Sequence, residues 1–219
     1  MLVVGFFVSS GHSQAVPTYR TDFQLWNETQ FIVPLTKARD WNFIFSVTGR
    51  FGNDVRTTTD ARVGGMITKK INKHVTLGAG YLYRYSNPTF VSKRYDSRYI
   101  LAPTFIMPFA GKFTFVARPQ IQYENRYSRP NGVVLEPRFI LRREITWKKR
   151  TFEPYVQFEP FYDFRQKLFV SYREQVGFSH KFSKKTSADL YYLRQDVPGD
   201  GKRPGKFNGI GTALRITVR

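Results

Sequence analysis

The chain has 219 residues, no cysteine, 13 Tyr, 21 Phe and a formal net charge of +19 at pH 7. This length fits one domain, and the lack of cysteine excludes disulfide bridges and thiolate metal sites. A mean hydropathy of −0.41 excludes a helical membrane protein but not a transmembrane barrel, in which only alternate residues face lipid.

The first element is a short apolar run at residues 2–8. It is too short for a membrane-spanning helix, which needs about 20 residues. Small residues at Ser13 and Ala15, before Val16 and Pro17, resemble a signal-peptidase site. We therefore predict that residues 1–15 are a signal peptide. Its usual basic start is missing, so we expect the signal to begin upstream of Met1; a buried strand is the alternative.

From Phe23 onward, every second residue is apolar or aromatic over stretches of about 10 to 14 residues. Trp41, Phe43 and Phe45 form one such row, and side chains two apart share a face of a strand. We predict an all-β fold, an antiparallel up-and-down transmembrane β-barrel formed by residues 16–219. Bacterial single-chain barrels have even strand counts, so we expect 10 to 12 strands, with 12 preferred. The eleven candidates are 22–35, 41–51, 60–70, 75–86, 96–107, 112–125, 134–147, 152–164, 169–182, 186–195 and 206–218.

Five prolines fall inside these candidate strands. A proline removes one donor from the hydrogen-bond ladder of a sheet, so bulges or register shifts are expected at each of them. They are Pro103, Pro119, Pro137, Pro154 and Pro160.

Clusters of basic residues lie in or beside the short connections between candidate strands. Short turns and longer loops alternate along an outer-membrane barrel, so these clusters would meet at one rim and reach lipid headgroup phosphates. Plain solvation is the alternative. A nucleic-acid groove fits less well, because it would place basic residues across strand faces. The predicted rim residues are Lys37, Arg39, Lys69, Lys70, Lys73, Lys148, Lys149, Arg150, Lys184 and Lys185.

The polar faces of the central candidate strands carry alternating Arg and Glu, which cross-strand pairing can bring together. One interpretation is a salt-bridged plug that fills a small barrel. The other is a narrow polar channel that its arginines bias toward anions. The predicted interior charges are Arg118, Glu124, Glu136, Arg138, Arg142, Glu144, Glu153, Glu159 and Arg173.

Several stretches also resemble a known family. Residues 24–28 read QLWNE, residues 77–81 read LGAGY after a lysine-containing turn, and residues 190–195 read LYYLRQ. In this layout, over about residues 22–218, the chain resembles the bacterial outer-membrane β-barrel family catalogued as domain of unknown function 2490. The resemblance implies an outer-membrane location and a barrel architecture, and it implies no catalytic residues. Phospholipid, lipopolysaccharide and the barrel-assembly machinery are the partners expected of such a barrel.

The chain offers little catalytic chemistry. His180 with Ser179 or Ser183 and Glu174 is the one conceivable Ser/His/acid set, and neighbours in a strand alternate faces. No Gly-rich phosphate loop or His/Cys cluster is present, so no cofactor or metal is expected.

We therefore expect a non-enzymatic outer-membrane barrel, either a structural envelope protein or a narrow porin-like channel. A membrane-embedded lipid-modifying enzyme and a soluble basic barrel that binds polyanions are the alternatives. Neither a nucleic acid nor a specific protein partner is expected.

Glu174 breaks the pattern of its strand. Strict alternation places it on the apolar face with Tyr172 and Val176, where an acidic group is costly in lipid. Either the register shifts near Arg173, or Glu174 lies at the membrane interface.

Overall fold

The computed structural model describes residues 20–87, 93–127, 129–148, 150–197 and 205–218. The predicted signal peptide lies outside them. Among these residues there is no helix long and apolar enough to cross a membrane. A short 3₁₀ turn lies at Ala110–Lys112. The strands are β1 (Arg20–Pro34), β2 (Trp41–Gly52), β3 (Thr57–Lys70), β4 (Val75–Ser86), β5 (Arg94–Leu101), β6 (Thr104–Phe109), β7 (Phe113–Arg118), β8 (Ile121–Arg126), β9 (Gly132–Leu135), β10 (Arg138–Arg143), β11 (Ile145–Trp147), β12 (Arg150–Asp163), β13 (Leu168–Lys181), β14 (Thr186–Val197) and β15 (Gly205–Thr217).

These fifteen strands form one sheet that closes on itself, because β1 pairs with β15. Three wall positions are shared by successive short strands: β5 with β6, β7 with β8, and β9 with β10 and β11. The wall therefore has eleven strand positions. The predicted all-β barrel is confirmed, and its count lies within the expected range and equals the number of candidate strands. The preference for 12 is not met.

The closing pair differs from all others in direction. β1 and β15 run parallel, in a register that extends from Arg20 opposite Gly205 to Ile32 opposite Thr217. The other strand pairs are antiparallel. When the direction alternates over an odd number of positions, the first and last strands must run the same way. The predicted antiparallel order thus does not extend to the closing pair.

Prolines interrupt the wall where it changes from one short strand to the next. Pro103, Pro119 and Pro137 lie in the gaps β5–β6, β7–β8 and β9–β10. These gaps are side by side, because the residues flanking them pair with one another. Pro154 and Pro160 instead lie within the continuous strand β12, where a register shift follows Pro160 after Phe161. Each missing donor is thus placed at a break or tolerated inside one long strand.

The distribution of apolar side chains is the reverse of that in a soluble domain. Among the described residues, 39 large hydrophobic side chains are exposed, whereas only six hydrophobic residues are buried. Nineteen polar or charged residues are buried. One small apolar cluster, formed by Trp26, Tyr191, Leu193 and Ala213, lies inside the barrel. The interior is therefore polar and the outer wall apolar, as the alternation in the sequence predicts.

The two ends of the barrel carry different connections. We call the end with the connections β1–β2, β3–β4, β6–β7, β11–β12 and β13–β14 the turn end. The end with the connections β2–β3, β4–β5, β8–β9, β12–β13 and β14–β15 is the loop end.

Candidate functional site

The half of the interior nearer the loop end is filled by a chain of alternating charges. In strands β5 and β8 an acidic residue is followed two positions later by arginine, so both point inward and bond directly. Arg98 Nε lies 2.5 Å from Asp96 Oδ1, and Arg126 Nε lies 2.7 Å from Glu124 Oε2. Arg98 Nη1 also reaches Glu124 Oε1 at 2.9 Å, which links the two strands. The charge chain comprises Arg62, Asp60, Arg84, Asp96, Arg98, Glu124, Arg126 and Asp163.

Asp60 begins this chain on β3. Its Oδ1 lies 2.5 Å from Arg62 Nε, and its Oδ2 lies 2.5 Å from Arg84 Nη2 on the neighbouring strand. At the other end, Arg126 Nη2 lies 3.0 Å from Asp163 Oδ2 on β12. The charge chain therefore crosses the interior from one wall to another, and every carboxylate in it has an arginine partner.

A second group of charges lies beside it. Glu159 is 1% exposed, and its two oxygens lie 2.9 Å from Arg138 Nε and 2.5 Å from Arg173 Nη1. Such two-sided pairing compensates the cost of removing a carboxylate from water.

Gln122 joins the two groups. Its Oε1 accepts a hydrogen bond from Arg98 Nη1 at 2.9 Å, and its Nε2 donates to Glu136. Glu136 in turn lies 3.9 Å from Arg173. Hydrogen bonds and ion pairs thus connect the charged groups of the interior near the loop end into one network, in which the carboxylates are buried.

The connection β8–β9 adds one more cation at the loop end. Arg129 Nη2 lies 3.6 Å from Glu124 Oε2. Burial, together with the nearby positive charges of Arg126 and Arg94, lowers the pKa of Arg129 to about 10. This side chain therefore remains a cation at neutral pH and extends the charge chain toward the loops.

The half nearer the turn end is open. It holds a cavity of about 820 Å³, which we call the turn-end cavity. Trp26, Arg50 and Arg173 line its inner limit, and Glu144, Thr151 and Lys181 line it near the turns. A volume of this size lies within the roughly 300–1,000 Å³ typical of small-molecule sites.

All nine predicted interior charges lie on inward-facing positions, but their surroundings differ. Five of them, Glu124, Glu136, Arg138, Glu159 and Arg173, belong to the filled half. Arg142 and Glu153 pair at 3.2 Å in the turn-end cavity, and Glu144 lies 3.9 Å from Lys112 at its rim. Arg118 lines the cavity and makes no ion pair with the described residues.

The prediction missed the charges of strands β3, β4 and β5. The signal was present, since the spacing acid–x–arginine recurs at Asp60 and Arg62, at Asp96 and Arg98, and at Glu124 and Arg126. Two residues apart in a strand means the same face, so this spacing indicates an inward ion pair whenever the intervening residue is outward.

The described residues of the predicted basic rim all lie at the turn end. Lys69 and Trp41 are opposite each other on the outer wall of β3 and β2, and Lys69 Nζ lies 4.9 Å from the Trp41 ring centre. Lys149 lies outside the described residues. The others are Lys37, Arg39, Lys70, Lys73, Lys148, Arg150, Lys184 and Lys185, in or next to the connections of that end.

His180 and Glu174 do not form a catalytic set. The imidazole Nδ1 of His180 is 3.1 Å from the carbonyl oxygen of Thr151, and its ring stacks on Phe152 at 4.8 Å. Ser179 faces the turn-end cavity. The register between β12 and β13 shifts at Val170 and runs unbroken from Ser171 to His180, and Glu174 is exposed on the outer wall, opposite Arg194. The shift therefore does not turn Glu174 away from the apolar face.

Comparison with known proteins gives one match. The model of a family described as a protein of unknown function, DUF2490, matches residues 23–204. Neither a curated protein nor a solved structure matches the chain. Within the described residues, no three His, Asp or Glu side chains are grouped so that they could hold a metal ion.

Proposed function

Since the chain belongs to the DUF2490 family of proteins of unknown function, we propose a role from its own structure. In this proposal the protein is an outer-membrane β-barrel that is closed to ions and serves as a structural protein of the envelope.

The reversed distribution of side chains carries this proposal. Leu101 and Val176 are each 60% exposed on the outer wall, while Asp96 and Glu159 are each 1% exposed inside. Exposure of such an apolar wall to water is unfavourable, whereas its contact with hydrocarbon is favourable. A closed barrel also satisfies its backbone donors and acceptors without water, which a bilayer core requires.

The residues of the turn end support an orientation of the barrel in the membrane. Its lysines and arginines can reach lipid phosphates, and the pair Lys69 and Trp41 combines a cation with an interfacial ring. Phospholipid and lipopolysaccharide are the proposed lipid partners, and the barrel-assembly machinery is the proposed insertion partner. Because short turns face the periplasm in outer-membrane barrels, we assign the turn end to that side.

The filled half of the interior favours a structural protein over a pore. An ion that crosses the barrel would have to displace the charge chain, in which Asp96, Glu124 and Asp163 are buried and paired with arginine. Breaking such pairs costs several kcal/mol. The proposed role is likewise not enzymatic, since the Ser/His/acid candidates are spread over both faces of the wall.

Two experiments test the role. Cells fractionated into inner and outer membranes should yield the chain in the outer fraction, and the purified protein should show heat-modifiable migration on a detergent gel. A monodisperse protein without detergent would overturn the membrane assignment. In planar bilayers the barrel should give no unitary current; reproducible conductance steps would overturn the closed interior and favour the narrow channel.

A further inference from the structure

Arg118 is a cation inside the barrel that forms no ion pair with any described residue. It lies opposite Arg138 in the pair β7–β10, but only Arg138 holds a carboxylate, that of Glu159. Within the described part of the chain, the Arg118 side chain makes one bond, a 3.6 Å contact from Nη2 to Met66 Sδ. A thioether is a weak acceptor, so this contact does not compensate the charge. Charges removed from bulk water are normally paired.

Arg50 presents a second unpaired cation to the same cavity. It is 8% exposed, and its guanidinium carbon lies 3.5 Å from the centre of the Trp26 ring. Its Nε finds no hydrogen-bond partner, and no carboxylate of the described residues forms an ion pair with it. Arg50 and Arg118 both line the turn-end cavity.

An apolar stripe lies on the inner wall next to these cations. Ile44 is opposite Met66, and Val116 is opposite both Ile106 and Ile140. All five side chains line the turn-end cavity. They occupy inward positions that elsewhere carry charged or polar groups. An apolar surface next to unpaired cations matches a molecule with an acidic head and a hydrocarbon tail.

The opening of the cavity favours anions as well. Lys70, Lys73, Lys148 and Lys184 lie at or beside the turns around it. These basic residues outnumber the acidic Glu144 and Glu153 at the same end, and an excess of one charge sign raises the local concentration of opposite charges and speeds their entry. Glu28 also lines the cavity, but it accepts a hydrogen bond from Gln30 and forms no ion pair with Arg118.

We propose that the turn-end cavity binds one amphiphilic anion, its acidic head at Arg118 and its hydrocarbon tail along the stripe of Ile44, Met66, Ile106, Val116 and Ile140, with Arg50 as a second cation at the inner limit of the cavity. Charge-assisted bonds to the Arg118 guanidinium supply the specificity for the head, and the positive charge of Arg50 adds to the attraction. Burial of the tail supplies apolar contact area. The inference rests on the proposed function, since it places this site on the periplasmic side of an outer-membrane barrel.

The test uses the full chain in nanodiscs of phosphatidylcholine, with empty nanodiscs as the baseline of the titration calorimetry. The probes are octanoate, octyl phosphate, inorganic phosphate and octyl glucoside. We expect saturable binding of octanoate or octyl phosphate, with a Kd weakened about tenfold or more by Arg118→Gln and weakened less by Arg50→Gln. Glu28→Gln, which removes a negative charge from the cavity, should tighten binding. Arg143→Gln on the outer wall is the matched control and should change nothing.

Each outcome decides the matter. Equal affinity for inorganic phosphate would overturn the role of the apolar stripe, and binding of octyl glucoside would overturn the role of the arginines. No saturable binding to a barrel that still shows heat-modifiable migration would overturn this inference alone. If the unmodified chain showed no heat-modifiable migration, the proposed function itself would be overturned instead. Because Arg118 is unpaired, Arg118→Gln should fold; if it does not, Arg118 is structural and the inference fails.

Discussion

Asn27 and Thr212 face each other across the parallel closing pair, and Asn27 Nδ2 donates a hydrogen bond to Thr212 Oγ1 at 2.9 Å. The chain has no cysteine of its own, so an engineered disulfide can report on this pair alone. We expect Asn27→Cys with Thr212→Cys to form an intramolecular disulfide under mild oxidation. Non-reducing gels of the heat-denatured protein should show the faster band of a cross-linked loop.

A displaced pair provides the control for that closure. Asn208 lies four residues before Thr212 on β15, opposite Phe23. The distance from Asn27 then exceeds the roughly 7 Å that a disulfide can bridge. Asn27→Cys with Asn208→Cys should therefore stay reduced, and equal cross-linking of both pairs would contradict the register.

Gly209 allows the closing strands to approach closely. A Cβ added there would lie 2.3 Å from the carbonyl oxygen of Gln24 on β1, and a backbone atom cannot move aside as a side chain can. Gly209→Ala should lower the free energy of unfolding by about 1–3 kcal/mol, as overpacking does. The control is Gly49→Ala, whose Cβ would be 3.6 Å from the Phe51 ring. Urea titration of heat-modifiable migration measures both; similar losses would show that the closing pair is not tightly packed.

The strand count shows what a period can and cannot predict. Alternation is a local property, so the rows of Trp41 and of Val75 identify their strands and faces without any knowledge of pairing. The eleven candidates follow from that property. The preference for 12 came from the even counts of other barrels, and the pairing of Asn27 with a residue 185 positions away has no local sign.

The sequence predicts which side chains point into the interior but not which of them form ion pairs with one another. Inward positions such as Arg118 and Arg138 follow from the same alternation. Arg138 and not Arg118 obtains the carboxylate of Glu159, because β10 pairs with β12 whereas β7 pairs with β6 and β10. Alternation within one strand does not show which strands are neighbours. The acid–x–arginine spacing at Asp96 was readable, and it is the local rule that finds most of the charge chain.

Two aspartates allow a matched test of the charge chain. Asp96 is 1% exposed and pairs with Arg98 at 2.5 Å, whereas Asp196 pairs with Arg194 at 2.9 Å on the outer wall with 39% of its side chain exposed. Asp96→Asn removes one of the two carboxylates that pair with the buried Arg98 and should cost about 1.5–3 kcal/mol of unfolding free energy. Asp196→Asn should cost less than about 1 kcal/mol. Urea titrations in the same bilayers compare the two, and equal costs would mean that the charge chain is hydrated.

Val176 tests which solvent surrounds the outer wall. It lies near the middle of β13 and is 60% exposed. In hydrocarbon, Val176→Arg should lower the free energy of unfolding by about 2–4 kcal/mol, whereas on a surface in water an exposed arginine is nearly neutral. Ile71→Arg is the matched control, because Ile71 is 50% exposed in the connection β3–β4 among lysines. That variant should change stability by less than about 0.5 kcal/mol in either solvent. Urea titrations in bilayers measure both variants, and a harmless Val176→Arg would mean that water, and not lipid, covers the rings and aliphatic side chains of this wall.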